Sequence, residues 1–180
     1  MKSYIALFRG INVVGRNILP MKALVAVLGD LGCQDAKSYI QSGNAVFRRG
    51  QLDPARFSKQ LRAAIAASHG FDPAIQLLSP SEIGKIASSN PFPEAESEPK
   101  TLHIYFLDST PKSPDLDGLE KVRAPNERFT LKGKAFYLHA PDGIGRSKLA
   151  ANVEKRLGVS ATSRNWRTVR KIIEMANELE

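Results

Sequence analysis

The chain has 180 residues, 42% of them hydrophobic and 24% charged, with 26 Lys or Arg against 18 Asp or Glu and a formal charge of +8. Such a composition excludes wholesale disorder, and the length suits one domain or two small modules sharing a core. The single cysteine, Cys33, excludes an internal disulfide framework; with only three histidines beside it, the count also argues against a standard Cys/His zinc site.

No run of about 20 apolar residues is present to span a bilayer, and the start of the chain lacks the apolar core and cleavage pattern of a signal peptide. A cytoplasmic protein is expected, with no membrane partner, no metal and no cofactor. The basic excess is uneven. Residues 1–50 hold seven Lys or Arg (Lys2, Arg9, Arg16, Lys22, Lys37, Arg48, Arg49) against Asp30 and Asp35, whereas residues 51–100 are slightly acidic. A field of that sign attracts phosphates, nucleotides or nucleic acid; its plain alternative is a basic, well-solvated surface.

In chain order, residues 3–9 read as a strand. Gly10 to Pro20 is a long loop, and residues 21–32 a helix with Leu24, Val27, Leu28 and Leu31 at helical spacing. A hairpin follows over 36–41 and 44–49, turning at Ser42-Gly43. Asp53-Pro54 supplies an N-cap and a first-turn proline for a helix that ends at Gly70. Residues 74–79 complete a β-α-β-β-α-β order, the ferredoxin-like pattern. A helix at 81–88 leads into 89–100, rich in Pro, Ser and Glu, which reads as a linker. The same order then recurs: a strand at 101–107, a helix at 115–122, a hairpin over 127–132 and 134–139, and a helix from Ser147 stopped by Gly158. A short strand at 159–162 and a last helix over about 164–178 complete it. The expected class is α+β, two ferredoxin-like halves plus a C-terminal helix. The domains expected are 1–80, a helix and linker over 81–100, and 101–180.

Strand alternation places Leu102, Ile104 and Phe106 on one face and His103 and Tyr105 on the other. In the 134–139 strand it sets Phe136 and Leu138 against Tyr137 and His139. If the aliphatic faces meet the helices, His103, Tyr105, Tyr137 and His139 share the opposite face. That face could bind a planar ligand, support homo-oligomerisation, or pack against the first module.

Four motifs carry a resemblance: Arg9-Gly10-Ile11-Asn12-Val13, Tyr39-Ile40-Gln41-Ser42-Gly43-Asn44, Gly143-Ile144-Gly145-Arg146-Ser147-Lys148-Leu149, and Thr162-Ser163-Arg164-Asn165-Trp166-Arg167-Thr168. Together they resemble the DUF1697 family of uncharacterised bacterial proteins, from Tyr4 to about Ile172. Val14 departs from the family, which commonly has a glycine before Gly15. The resemblance implies two ferredoxin-like halves and brings no established activity.

The residues themselves carry the functional reading. In the first loop, Gly10 and Gly15 let backbone amides approach a ligand, Arg9 and Arg16 offer forks for phosphate, and Asn12 can donate and accept. Gly15 is followed by Arg16-Asn17 rather than Lys-Ser or Lys-Thr, which excludes a P-loop ATPase or GTPase. Ser42 and Asn44 join the site only if their turn lies beside that loop; otherwise they simply make a hairpin. Asp142 to Lys148 is a glycine-rich, basic entry to a helix, or merely a turn and a Ser N-cap. On the last helix, Arg164 and Arg167 would oppose the dipole at about 0.3–1 kcal/mol each, so a carboxylate or a bound anion is expected beside them. Asn165 adds a polar contact, and Trp166 either anchors packing or stacks on a base. Cys33 reads as a buried thiol. Lys132 to Tyr137 imitates an RNA-recognition strand, but Lys134 stands where that module needs an aromatic and Phe136 points inward.

The expected function is binding of a phosphate-bearing ligand, a nucleotide or nucleic acid. The residues expected to carry it are Arg9, Gly10, Asn12, Arg16, Ser42, Asn44, Arg164, Asn165, Trp166 and Arg167. The alternatives are an enzyme acting on a small anionic metabolite, with no catalytic residue assigned, and a protein-association module.

Overall fold

The computed structural model describes residues 1–179 and contains two four-stranded antiparallel sheets. The first half runs β1 (Lys2–Arg9), α1 (Met21–Asp30), β2 (Gln34–Tyr39), β3 (Asn44–Arg49), α2 (Pro54–His69) and β4 (Ala74–Leu78). Its strand order, β2-β3-β1-β4, is that of a ferredoxin-like sheet. After α3 (Pro80–Ser88) and a 3-10 turn (Pro93–Ser97), the second half runs β5 (Leu102–Leu107), α4 (Leu116–Val122), β6 (Arg128–Lys132), β7 (Ala135–His139), α5 (Lys148–Leu157) and β8 (Ala161–Asn165). Its order, β6-β7-β5-β8, repeats the first. The last helix, α6, covers Trp166–Asn177. The chain divides into two compact units, one of Met1–Lys85 with the residues from Lys171 onward, the other Ile86–Arg170. The stretch 89–100 thus belongs to the second unit and carries the 3-10 turn.

Local chemistry explains the helix ends. The Asp53 carboxylate accepts from the Arg56 amide at 2.7 Å, Pro54 opens the first turn of α2, and Gly70 ends it in the left-handed region. Ser79 and Glu82 form a reciprocal capping box on α3: the Ser79 amide donates to Glu82 Oε2 (2.7 Å) and the Glu82 amide to Ser79 Oγ (3.2 Å). Ser147 Oγ accepts from the Ala150 amide at 2.9 Å, and Gly158 closes α5.

Each unit has its own core. In the first, Ala6, Phe8, Ala45 and Phe47 meet Leu24 and Leu28 of α1 and Phe57, Leu61 and Ile65 of α2. In the second, Tyr105, Leu107, Phe136 and Leu138 meet Leu119 of α4 and Leu149, Val153 and Leu157 of α5.

The register corrects the expected sheet faces. Directly opposed residues of an antiparallel pair share a face, and His103 pairs with Leu138, Tyr105 with Phe136, Ile104 with Tyr137 and Leu102 with His139. His103 and His139 therefore lie on opposite faces, and no face gathers His103, Tyr105, Tyr137 and His139. In β5 it is Tyr105 and Leu107 that meet α4 and α5, while Leu102, Ile104 and Phe106 are buried on the opposite face. Phe136 does point inward, edge-on to Tyr105 with ring centres 5.7 Å apart.

The end of the chain also differs from the expectation. β8 extends to Asn165 because Thr162, Ser163, Arg164 and Asn165 all pair with β5, so α6 starts at Trp166 rather than 164.

Burial gives the fold a pH dependence. His103 donates from Nε2 to the Lys100 carbonyl at 3.0 Å, since a carbonyl can only accept, and burial holds its imidazole below the usual value of 6.5. Burial, then the neighbouring Arg128, lower His139 likewise. A depressed folded-state value means that the unfolded chain takes up protons first. The contribution is therefore complete above about pH 6.5 and is lost as the pH falls through the folded-state values. Urea unfolding at pH 5.5 should show a lower midpoint than at pH 7.5, and the difference should shrink in His103→Gln. An unchanged difference would exclude His103 as its source.

Candidate functional site

The loop after β1 is built from residues held at positive φ: Gly10, Asn12, Val14, Gly15 and Asn17. Val13 to Arg16 is a tight turn, closed by the Arg16 amide on the Val13 carbonyl at 2.9 Å, and both central residues, Val14 (φ 48°) and Gly15 (φ 73°), are left-handed. Two consecutive positive φ values mark the I′ pattern, which favours Asn or Gly at its first central position. A β-branched valine there is strained, and a glycine would not be.

The loop is fastened by Asn12. Its Oδ1 accepts from the Leu19 amide (2.8 Å), and its Nδ2 donates to the Leu19 carbonyl (2.9 Å) and to the Gln41 carbonyl (2.8 Å). The last of these bonds reaches the β2–β3 turn, so the loop and the turn lie side by side. Ser42 and Asn44 therefore stand with the loop, as the sequence required of them if they were to share its site. The Phe8 amide donates to the Gly43 carbonyl at 2.8 Å. A Cβ on Gly43 would stand 2.6 Å from both Phe8 Cβ and Ile11 Cδ1, so only glycine fits there. Asn44 is buried and spends its amide group on the Tyr39 carbonyl (2.9 Å) and Ser42 Oγ (3.1 Å).

Asn12 and Asn44 thus hold backbone, and what the pair of loops turns outward is different: Arg9, Gly10, Arg16 and Ser42. Beside them stand four exposed aliphatic side chains, Val13, Val14, Ile18 and Ile40, with Val14 94% exposed. Gly10, Val13, Val14, Arg16 and Asn17 line a shallow depression of about 440 Å³. No Asp or Glu occurs in residues 1–29.

The second predicted group belongs to the other unit. Arg164 sits in β8, not in a first helical turn, so the dipole does not bear on it there. Its Nη1 donates to the Ser163 carbonyl at 2.8 Å, and burial pushes its guanidinium down to about 10. Asn165 is the cap of α6, accepting from the Thr168 amide at 2.9 Å. Trp166 is buried, so its ring packs rather than faces solvent. Arg167 is exposed in the first turn of α6.

The remaining candidates are occupied structurally. Cys33 is buried, which raises its thiol. Arg128 Nη2 lies 3.0 Å from His139 Nδ1, its guanidinium 4.7 Å over the Phe92 ring, and it is ion-paired with Glu94. Ser68 Oγ is 2.7 Å from His69 Nδ1, but that hydroxyl also lies 2.8 Å from the Ala64 carbonyl, within the helix. Among the described residues no cluster of three His, Cys, Asp or Glu could hold a metal, and no helix is long and apolar enough to cross a membrane. Sequence reading missed Lys121 to Glu127, which the fold lays along the Asp142–Lys148 loop: Asn126 Nδ2 donates to Asp142 Oδ2 at 2.9 Å. Nothing in the local sequence signals that neighbour.

Two substitutions test the loop. Asn12→Ala removes three hydrogen bonds and should lower stability by about 2 kcal/mol in urea unfolding. Val14→Asn, which suits the turn, should raise it by about 1 kcal/mol; an unchanged midpoint would mean that the turn relaxes without strain.

The fold is shared with a solved structure described as conserved bacterial protein SP0830 from Streptococcus pneumoniae. The TM-score is 0.70 at 24% identity, covering 97% of this chain and 98% of that one. No curated protein matches the chain. A family model described as "Protein of unknown function (DUF1697)" matches residues 1–137, which takes in the first two motifs and stops short of the two later ones. With that model spanning well over half of its length, the chain belongs to the DUF1697 family.

Proposed function

We propose that the protein binds a phosphate-bearing ligand, a nucleotide or a nucleic acid, on the paired loops of its first unit. The observation that supports this is the juxtaposition made by Asn12: two loops lie side by side and turn Arg9, Gly10, Arg16 and Ser42 outward. The chain from residue 1 to 29 around them is free of carboxylates. Arginine forks match phosphate oxygens in two-point contacts. Asn12 and Asn44 preorganise the surface rather than touch the ligand, and the neighbouring aliphatic side chains offer an apolar rest for a base or sugar.

Arg167 is a separate proposed contact in the second unit. A cation in the first turn of α6 faces the positive end of the helix dipole, and a bound phosphate relieves that opposition. Asn165 fixes the helix start beside it, Arg164 braces β8, and Trp166 anchors the packing under it.

Fluorescence anisotropy with a labelled, mixed-sequence single strand of RNA, at low and moderate salt, tests the reading. Binding should weaken steeply with salt. Arg16→Ala should weaken it across sequences and flatten the slope of log K against log salt by about 0.7, the share of the one phosphate it no longer neutralises. Arg167→Ala should flatten the slope independently, and a slope identical to the parent's would remove Arg167 from the site. No binding at low salt would exclude nucleic acid and confine the proposal to nucleotides.

A further inference from the structure

The second unit holds a larger recess that uses none of these residues. Two segments distant in sequence form it: Lys121 to Glu127, at the end of α4 and the turn after it, and Asp142 to Lys148, the glycine-rich entry to α5. The recess is about 700 Å³, within the range of small-molecule sites. Lys121, Arg123, Arg146 and Lys148 line it against the carboxylates of Glu127 and Asp142.

The two carboxylates and one of the cations are already engaged. Glu127 is buried and accepts from the Ala124 amide at 2.8 Å, and Asp142 accepts from Asn126 Nδ2 at 2.9 Å. Arg123 is ion-paired with Glu120, and its Nη1 donates to the Glu127 carbonyl at 2.9 Å. That leaves Lys121, Arg146 and Lys148, all exposed, lining one recess, none of them ion-paired among the described residues. Three like charges brought to one concavity repel one another, and the two carboxylates in the lining, Glu127 and Asp142, offset only part of the charge of its four cations. The lining is left net positive, which matches a small multivalent anion.

We propose that this recess binds a compact ligand carrying two linked phosphate groups, held by Lys121, Arg146 and Lys148. Arg146 supplies the fork for one phosphate, the two lysines neutralise the other, and the engaged Asn126–Asp142 pair holds the two walls in place. The concave shape and limited size of the recess favour a diphosphate, free or as the head of a nucleotide, over a polymer. The site is independent of the paired loops of the first unit, so either proposal can fail alone.

The test is a titration of the full 15N-labelled chain with inorganic pyrophosphate, and separately with citrate as a carboxylate polyanion. Pyrophosphate should produce saturable amide shifts at residues 121–127 and 142–148 that follow a single binding curve, separate from any shifts at the loops of the first unit. Arg146→Ala with Lys148→Ala should weaken binding at least about tenfold, while Lys155→Ala, an exposed lysine of α5 outside the recess, leaves it unchanged. Lys121→Gln alone, a milder change that spares the α5 entry, should weaken it measurably in a spectrum otherwise like the parent. Shifts that spread over the basic surface without saturating would overturn the site, as would saturable binding untouched by these substitutions. Equal affinity for citrate would overturn the assignment to phosphate.

Discussion

The absence of one side chain sets the geometry of the first unit. Where β1 and β3 stop pairing, after Leu7 and Asn44, one more bond continues the ladder, from the Phe8 amide to the Gly43 carbonyl. It forms only because residue 43 has no Cβ to strike Phe8 and Ile11. That closure draws the hairpin turn over the end of β1, where the long loop leaves the sheet. Asn12 can then reach Gln41, and Ile11 is buried under the turn. The loop's shape, the turn's position and the outward direction of Arg16 follow from the same close approach.

The parts of the fold that were legible in the sequence are those fixed within a few residues. Asp53-Pro54, Ser147 and Gly158 set helix ends through bonds to backbone groups three or four residues away, and their chemistry is written where it acts. Register is different. Strand alternation sorts the residues of one strand into two faces, but pairing between strands decides which faces coincide. His103 joined Leu138 rather than His139 because β5 and β7 align Leu102 with His139. The start of α6 was misplaced for a related reason: Arg164 and Arg167 stand at helical spacing with Val169 to follow, yet five residues up to Asn165 have partners in β5, and that pairing prevails.

The candidate site divides in the same way. Asparagine and arginine both read as ligand donors in a glycine-rich loop, yet the structure separates them. Asn12 and Asn44 have short side chains that carry a donor and an acceptor together, which suits them to substitute for backbone partners where the chain turns sharply. Arginine is too long to close such turns and extends past them. A polar residue in a loop with many positive φ values is therefore more informative about backbone when short and about surface when long.

Two apolar residues complicate that division. Val14 and Ile40 both take left-handed φ, near 50°, and both are exposed. A β-branched side chain in that region costs on the order of 1–2 kcal/mol, and exposure returns no burial to offset it. At Val14 the cause is local, since the turn needs positive φ at two successive positions. At Ile40 it is the end of β2, where the chain must reverse within four residues to meet Asn44, whose side chain bonds the Tyr39 carbonyl immediately before it. Ile40 stands between the Tyr39 and Gln41 carbonyls that Asn44 and Asn12 bind, and Val14 lies within the loop that Asn12 fastens to Leu19. The strain is therefore opposed by hydrogen bonds that would be lost if either segment relaxed. This local balance keeps Arg16 and Ser42 on fixed backbone, so a ligand meeting them need not order the loop first.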